Sequence, residues 1–206
     1  AFFFAKKLAQ NDDTIMDDCL RETLLWQNDP NYMAEERENI TQLFLAYLKQ
    51  FMEDIHVSAD LWHWESQYLR TLRHHLPPWL EHGIATIQNG FMTMGSSSNR
   101  THQPLMLQHQ DGRYLYAAID LGAIVDRLGS VAADKMLYIM TGKQSTQSAQ
   151  VFDAASQVGV SCHLEHVKLS TIVPVGPNTP KNPTSLIKKL ATWPCPDMVF
   201  ESPIHQ

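Results

Sequence analysis

Apolar side chains recur at helical spacing through roughly the first 90 residues, then lose that rhythm. In "MAEERENITQLFLAYLKQFMEDI", residues 33–55, Ile40, Leu43, Phe44, Tyr47, Leu48, Phe51 and Ile55 fall on one face, which predicts an amphipathic helix. Glu35, Glu36 and Glu38 crowd its first turns, where the helix dipole favours negative charge. Upstream, Asp12, Asp13 and Thr14 offer N-caps to "IMDDCLRETLLWQ", and "NDP" at 28–30 closes that element and starts the next, with Asp29 as cap and Pro30 in the first turn. Downstream, Ser58 is positioned to cap a third helix, "ADLWHWESQYLRTLRHHL". Pro77 and Pro78 should then break the chain, because each lacks an N–H and the second disfavours helical geometry at the first. A further helix over 78–89 should end at Asn89-Gly90, with Trp79 buried against Tyr68 or Leu72 and His74 or His75 partly exposed.

Beyond Gly90 the pattern shortens. "GSSSNRTHQP", 95–104, reads as a polar loop, and Asp111-Gly112 inside "LMLQHQDGRYLYAAI" reads as a hairpin turn. Asp120 offers a cap to a short helix, "LGAIVDRLG". "KMLYIM", 135–140, fits a buried strand or a helix. "STQSAQVFDAASQVG" is a helix capped by Ser145 or Thr146 and stopped by Gly159, and "VSCHLEHVKL" alternates as a strand does. "LIKKLATW" reads as a last short helix. The fold class is α+β: an acidic helical region over 1–76, an α/β-hairpin region over 77–169 and an extension over 170–206.

Charge adds an asymmetry. Residues 1–65 hold 13 acidic against 5 basic side chains, and residues 66–206 hold 9 against 11. The front repels a phosphate backbone; the rear tolerates one. Three widely spaced cysteines, with no Cys-x-x-Cys pair, argue for a reducing, cytoplasmic setting. No stretch approaches the ~18–20 apolar residues of a membrane span. The sequons at Asn39 and Asn99 read as chance, and the missing initial Met suggests processing or a fragment.

Candidate chemistry is thin. "HHLPPWLEHG", 74–83, concentrates His74, His75 and His82, but no third ligand motif completes a zinc set, so the stretch reads as a helix joint. "TGKQST" lacks the glycine lead-in of a phosphate loop, and in "CHLEH" nothing orients Cys162 and His166 as a catalytic pair. No cofactor is expected. Trp62, Trp64 and Tyr68 form an aromatic group suited to a protein interface.

The run "PPWLEHGIATIQNGFMTM…PLMLQHQDGRYLYAAIDLGAIVDRLG…SAQVFDAASQVGVSC" resembles the C-terminal winged-helix-like domain of TraI-type conjugative relaxases of integrative conjugative elements. Trp79, Leu80, Gly83 and Ile84 carry the first piece, Leu107 to Leu115 the wing, Leu121 to Leu128 the short helix and Val151 to Val160 the last helix. That family's upstream His-Asp motifs are missing from residues 1–90. The resemblance therefore implies a non-catalytic accessory domain that binds DNA or docks within a conjugation or mobile-element apparatus. Arg100, His102, Arg113, Lys143, Lys188 and Lys189 would contact phosphates. The alternative is an adaptor subunit of a cytoplasmic assembly, contacting protein and no nucleic acid.

Overall fold

A computed structural model describes residues 12–54, 56–95 and 104–169. They fall into two compact units: residues 12–33, 63–95 and 104–169 in the first, and 34–62 in the second. The fold mixes helices and sheets, consistent with α+β.

The first unit opens with α1 (Asp13–Asn28), whose N-cap is Asp12, accepting from the Thr14 amide at 3.0 Å. Near its other end the Gln27 side chain bonds the Tyr114 backbone in both directions, donating to its carbonyl at 3.1 Å and accepting from its amide at 2.7 Å. After a 3₁₀ turn at Glu65–Gln67 comes α3 (Tyr68–Glu81), which buries Tyr68, Leu69, Leu72, Leu76 and Trp79. No helix starts at Ser58: residues 57–64 are not helical.

The expected break at the prolines does not occur, since α3 runs through Pro77 and Pro78 to Glu81. Both rings sit on the exposed side, while Leu76 and Trp79 remain on the packed one. The prolines remove the donors that would serve the Arg73 and His74 carbonyls, and apolar burial outweighs that loss. His74 is exposed and His75 half-buried, stacked on Trp79 with ring centroids 5.6 Å apart.

Residues 86–88 form a strand, not a continuing helix. β1 (Thr86–Gln88), β2 (Phe91–Met94) and β3 (Leu105–His109) make an antiparallel sheet in that order. Asn89 (φ 50°) and Gly90 (φ 78°) form the two-residue turn between paired Gln88 and Phe91. Two successive positive φ angles are what a tight hairpin demands, and Asn-Gly meets that demand at little cost.

The Asp111-Gly112 turn is present, with the Gly112 amide bonding the His109 carbonyl at 2.9 Å. Its second arm pairs only as the bridge Gln108↔Tyr114 before α4 (Tyr116–Val131) begins. There is no wing. Asp120 lies inside this helix rather than at its cap.

β4 (Lys135–Thr141) and β5 (His163–Leu169) then pair in parallel, joined through a 3₁₀ turn at Gly142–Gln144 and α5 (Ser145–Gln157). The N-cap of α5 is Gln144, and Ser145 instead donates to the Gly142 carbonyl at 2.7 Å. Leu72, Met94, Leu107, Leu121 and Ile124 are fully buried at the centre, drawing α3, the antiparallel sheet and α4 into one core. The second unit contributes α2 (Ala34–Asp54), which buries none of its residues. "LIKKLATW" lies outside the described residues.

Candidate functional site

An acid within an apolar run marks the site. "YLYAAIDLGAI" folds as the start of α4, and its helical period sets Tyr116 and Asp120 one turn apart on the same face. The inner face of that helix is held by Ala118, Leu121 and Ile124, each inaccessible to solvent, so the direction of Asp120 is fixed. Asp120 itself is half-buried.

Other elements bring polar groups to this face. The 3₁₀ turn supplies Glu65, whose Oε1 accepts from the Tyr116 hydroxyl at 2.9 Å. α5 supplies Gln147, whose amide donates to Asp120 Oδ2 at 2.9 Å. Arg127, two turns beyond Asp120, donates to the hydroxyls of Tyr138 on β4 at 3.1 Å and Tyr68 on α3 at 3.2 Å.

The electrostatics follow from this geometry. Burial lifts the Asp120 carboxyl above the usual carboxylate range; the Gln147 hydrogen bond opposes the rise, Glu65 adds to it and Arg127 opposes it. The hydrogen bond to Glu65 pushes the Tyr116 hydroxyl up to about 12. Two carboxylates with their attendant amide and phenol make an acceptor-rich patch. Such a patch suits a cation that brings several N–H donors.

The residues singled out from sequence lie elsewhere. Arg113 is engaged inside its own turn, its Nη2 2.8 Å from Asp111 Oδ2, and it holds the Asp111 carboxyl down at about 2. Lys143 is exposed on the 3₁₀ turn before α5. Tyr68 is 2% exposed, a core position beneath Arg127, and Trp64 is half-buried; Trp62 is half-buried in the second unit. Arg100, His102, Lys188 and Lys189 fall outside the described residues.

His74 and His75 line an open groove of about 740 Å³ with Arg70, Thr71 and Asp126. His82 is engaged with the Pro78 carbonyl at 2.7 Å, and His166 with that of Met140 at 3.2 Å. Among the described residues, no three His, Cys, Asp or Glu side chains are placed to hold a metal ion. On its sequence Asp120 reads as a helix cap, and Glu65, Tyr116, Arg127 and Gln147 do not stand out. The available signal was the Tyr-x-x-x-Asp spacing, with an ionisable residue where every neighbour is apolar.

Comparison with known proteins gives the chain a family. A family model described as "tRNA synthetases class I (R), catalytic domain" matches residues 2–178. The arginine–tRNA ligase of Maricaulis maris is 31% identical over 148 residues, covering 69% of this chain and 25% of that protein. The corresponding ligase of Shewanella oneidensis is 29% identical over 156 residues, covering 71% and 27%. The chain thus spans about a quarter of the length of these relatives. Among solved structures, the arginyl-tRNA synthetase of Plasmodium falciparum superposes with a TM-score of 0.61 at 20% identity, covering 69% of this chain and 25% of that one. A putative arginyl-tRNA synthetase from Campylobacter jejuni gives 0.55 at 23% identity, covering 62% and 28%.

These matches overturn the resemblance to conjugative relaxases, and with it the reading as a winged-helix DNA-binding accessory domain. The adaptor reading gains no support from them either. Among the described residues, no helix is long and apolar enough to cross a membrane. The chain belongs to the family of class I (R) tRNA synthetase catalytic domains.

Proposed function

We propose that this chain is a portion of the catalytic domain of an arginine–tRNA ligase and contributes the pocket that receives the arginine side chain. The observation that carries this reading is Asp120, a half-buried acid held by Gln147 with a second carboxylate, Glu65, in its field. A guanidinium is planar, permanently charged and rich in donors, so it matches carboxylate acceptors better than an ammonium does. Asp120 is already partly desolvated, and a bound cation would relieve the unfavourable field that Glu65 and burial impose on it. On this reading tRNA is the second substrate and the cytoplasm the setting.

Calorimetric titration with L-arginine and with L-citrulline tests the reading, because citrulline keeps the shape and loses the charge. Arginine should bind and citrulline should bind about a hundredfold more weakly, the order expected when a charged hydrogen-bonding partner is lost. Equal affinity for both, or binding of neither, would contradict the assignment.

A further inference from the structure

A single hydrogen bond turns the Asp120 carboxylate. Among the described residues, its donor is the Gln147 side-chain amide, 2.9 Å from Oδ2, and the other oxygen, Oδ1, accepts from none. Both side chains are half-buried. Gln147 rises from the first turn of α5 beside Ser148, which is 3% exposed and donates to the Gln144 carbonyl at 2.8 Å. Val151, one turn after Gln147, is packed in the core. The helix that carries the amide is therefore fixed, as Ala118, Leu121 and Ile124 fix the helix that carries the acid.

A carboxylate only accepts, so the amide nitrogen faces Asp120 and the amide carbonyl points away. An amide is also neutral. It holds the acid without cancelling its charge, whereas a lysine or arginine in its place would occupy the acid as the ligand's rival. What a fixed carboxylate plane offers then depends on the ligand. A guanidinium is a planar fork whose paired N–H groups need acceptors lying in its own plane. An ammonium is a compact charge with three rotatable donors, and it finds an acceptor in almost any orientation. We propose that Gln147 is a positioning residue that sets the Asp120 carboxylate for a guanidinium, and that preference for arginine over lysine resides in this bond. This rests on the reading of Asp120 as the acid that faces arginine. The Gln147 hydrogen bond also favours the ionised form of Asp120, against burial. That contribution serves any cation alike, so discrimination comes from orientation.

The test is calorimetric titration of the full chain with L-arginine and with L-lysine at pH 8, chosen to keep Asp120 ionised in every variant. The wild-type protein should bind arginine the tighter. In Gln147→Leu arginine affinity should fall about tenfold and lysine affinity by less than about twofold, so the ratio between them collapses. Gln147→His returns an N–H donor at similar reach and should recover most of the preference. Should Gln147→Leu fail to fold, Gln147→Ala removes the same donor at no cost in helix propensity, with the same expectation. Equal losses for arginine and lysine in a folded variant, or a preference that histidine does not recover, would overturn the positioning role and leave the ligand reading standing. A folded wild-type chain that binds neither amino acid would instead contradict the ligand reading, and the preference with it.

Discussion

Helix α2 (Ala34–Asp54) shows a longer apolar stripe than α3 (Tyr68–Glu81), yet α2 buries none of its residues while α3 buries five and carries two prolines. Ile40, Leu43 and Tyr47 of α2 are 60%, 74% and 60% exposed, whereas Leu72 of α3 is fully inaccessible. For α3, burial comes from what its stripe meets. α3 lies against Gly122 of α4, where an added Cβ would stand 3.0 Å from Leu72 Cγ and 3.5 Å from the Tyr68 carbonyl oxygen. The missing side chain lets the two helices approach closely enough to exclude water. Periodicity therefore reports which face of a helix is fit to pack, and the neighbour decides whether burial follows.

The largest break of this comparison is between Trp79 and Leu43. Trp79→Ala should destabilise the chain by about 3–5 kcal/mol in denaturant unfolding, the usual cost of emptying a packed aromatic site. Leu43→Ala should change stability by less than about 0.5 kcal/mol, as exposed positions do. Equal losses at the two sites would mean that the stripes are equivalent after all.

A smaller effect sharpens the account of α3. Pro77→Ala and Pro78→Ala each restore an N–H to a helix that already exists, and each should raise stability by about 1 kcal/mol. The restored hydrogen bond outweighs the entropy that proline removes from the unfolded chain, about 0.4–1 kcal/mol. Destabilisation by either would show that the prolines shape the helix end instead of being tolerated by it.

These contrasts also show what was legible beforehand. The extent of α1, the helix α5 and strand β5, and the burial of Trp79 beside a half-exposed His75 follow from local pattern, whereas β4 fits strand or helix on its sequence and α2 starts at Ala34 instead of at Pro30. Asn89-Gly90 terminates a helix and turns a hairpin with equal ease, and the three residues of β1 are too few to show a period. The prolines misled because the steric rule is local, while the burial of Leu76 and Trp79 is tertiary.

The site was illegible for a related reason. Glu65, Asp120, Arg127 and Gln147 come from three separate elements, and no spacing in the sequence announces that they converge. The winged-helix-like order that resembles a relaxase domain consists of hydrophobic pattern common to many folds. It could not separate one family from another.

On the proposed function Asp120 belongs to a binding site and is not a structural partner, and Asp120→Asn is the direct test. Its folded carboxyl pKa lies above the ordinary 3.8, raised first by burial. The folded protein therefore holds that proton more tightly than the unfolded chain does. The resulting penalty is present at neutral pH, shrinks as pH falls through the raised value, and is gone below the unfolded one. Asparagine removes the charge and keeps an acceptor for Gln147. Thermal unfolding and arginine titration on the same protein should move in opposite directions: melting temperature at pH 7 unchanged or higher, with any gain absent below about pH 4, and arginine affinity lost. Retained affinity, or a variant that loses stability and binding together, would contradict the claim and return Asp120 to the framework of the fold.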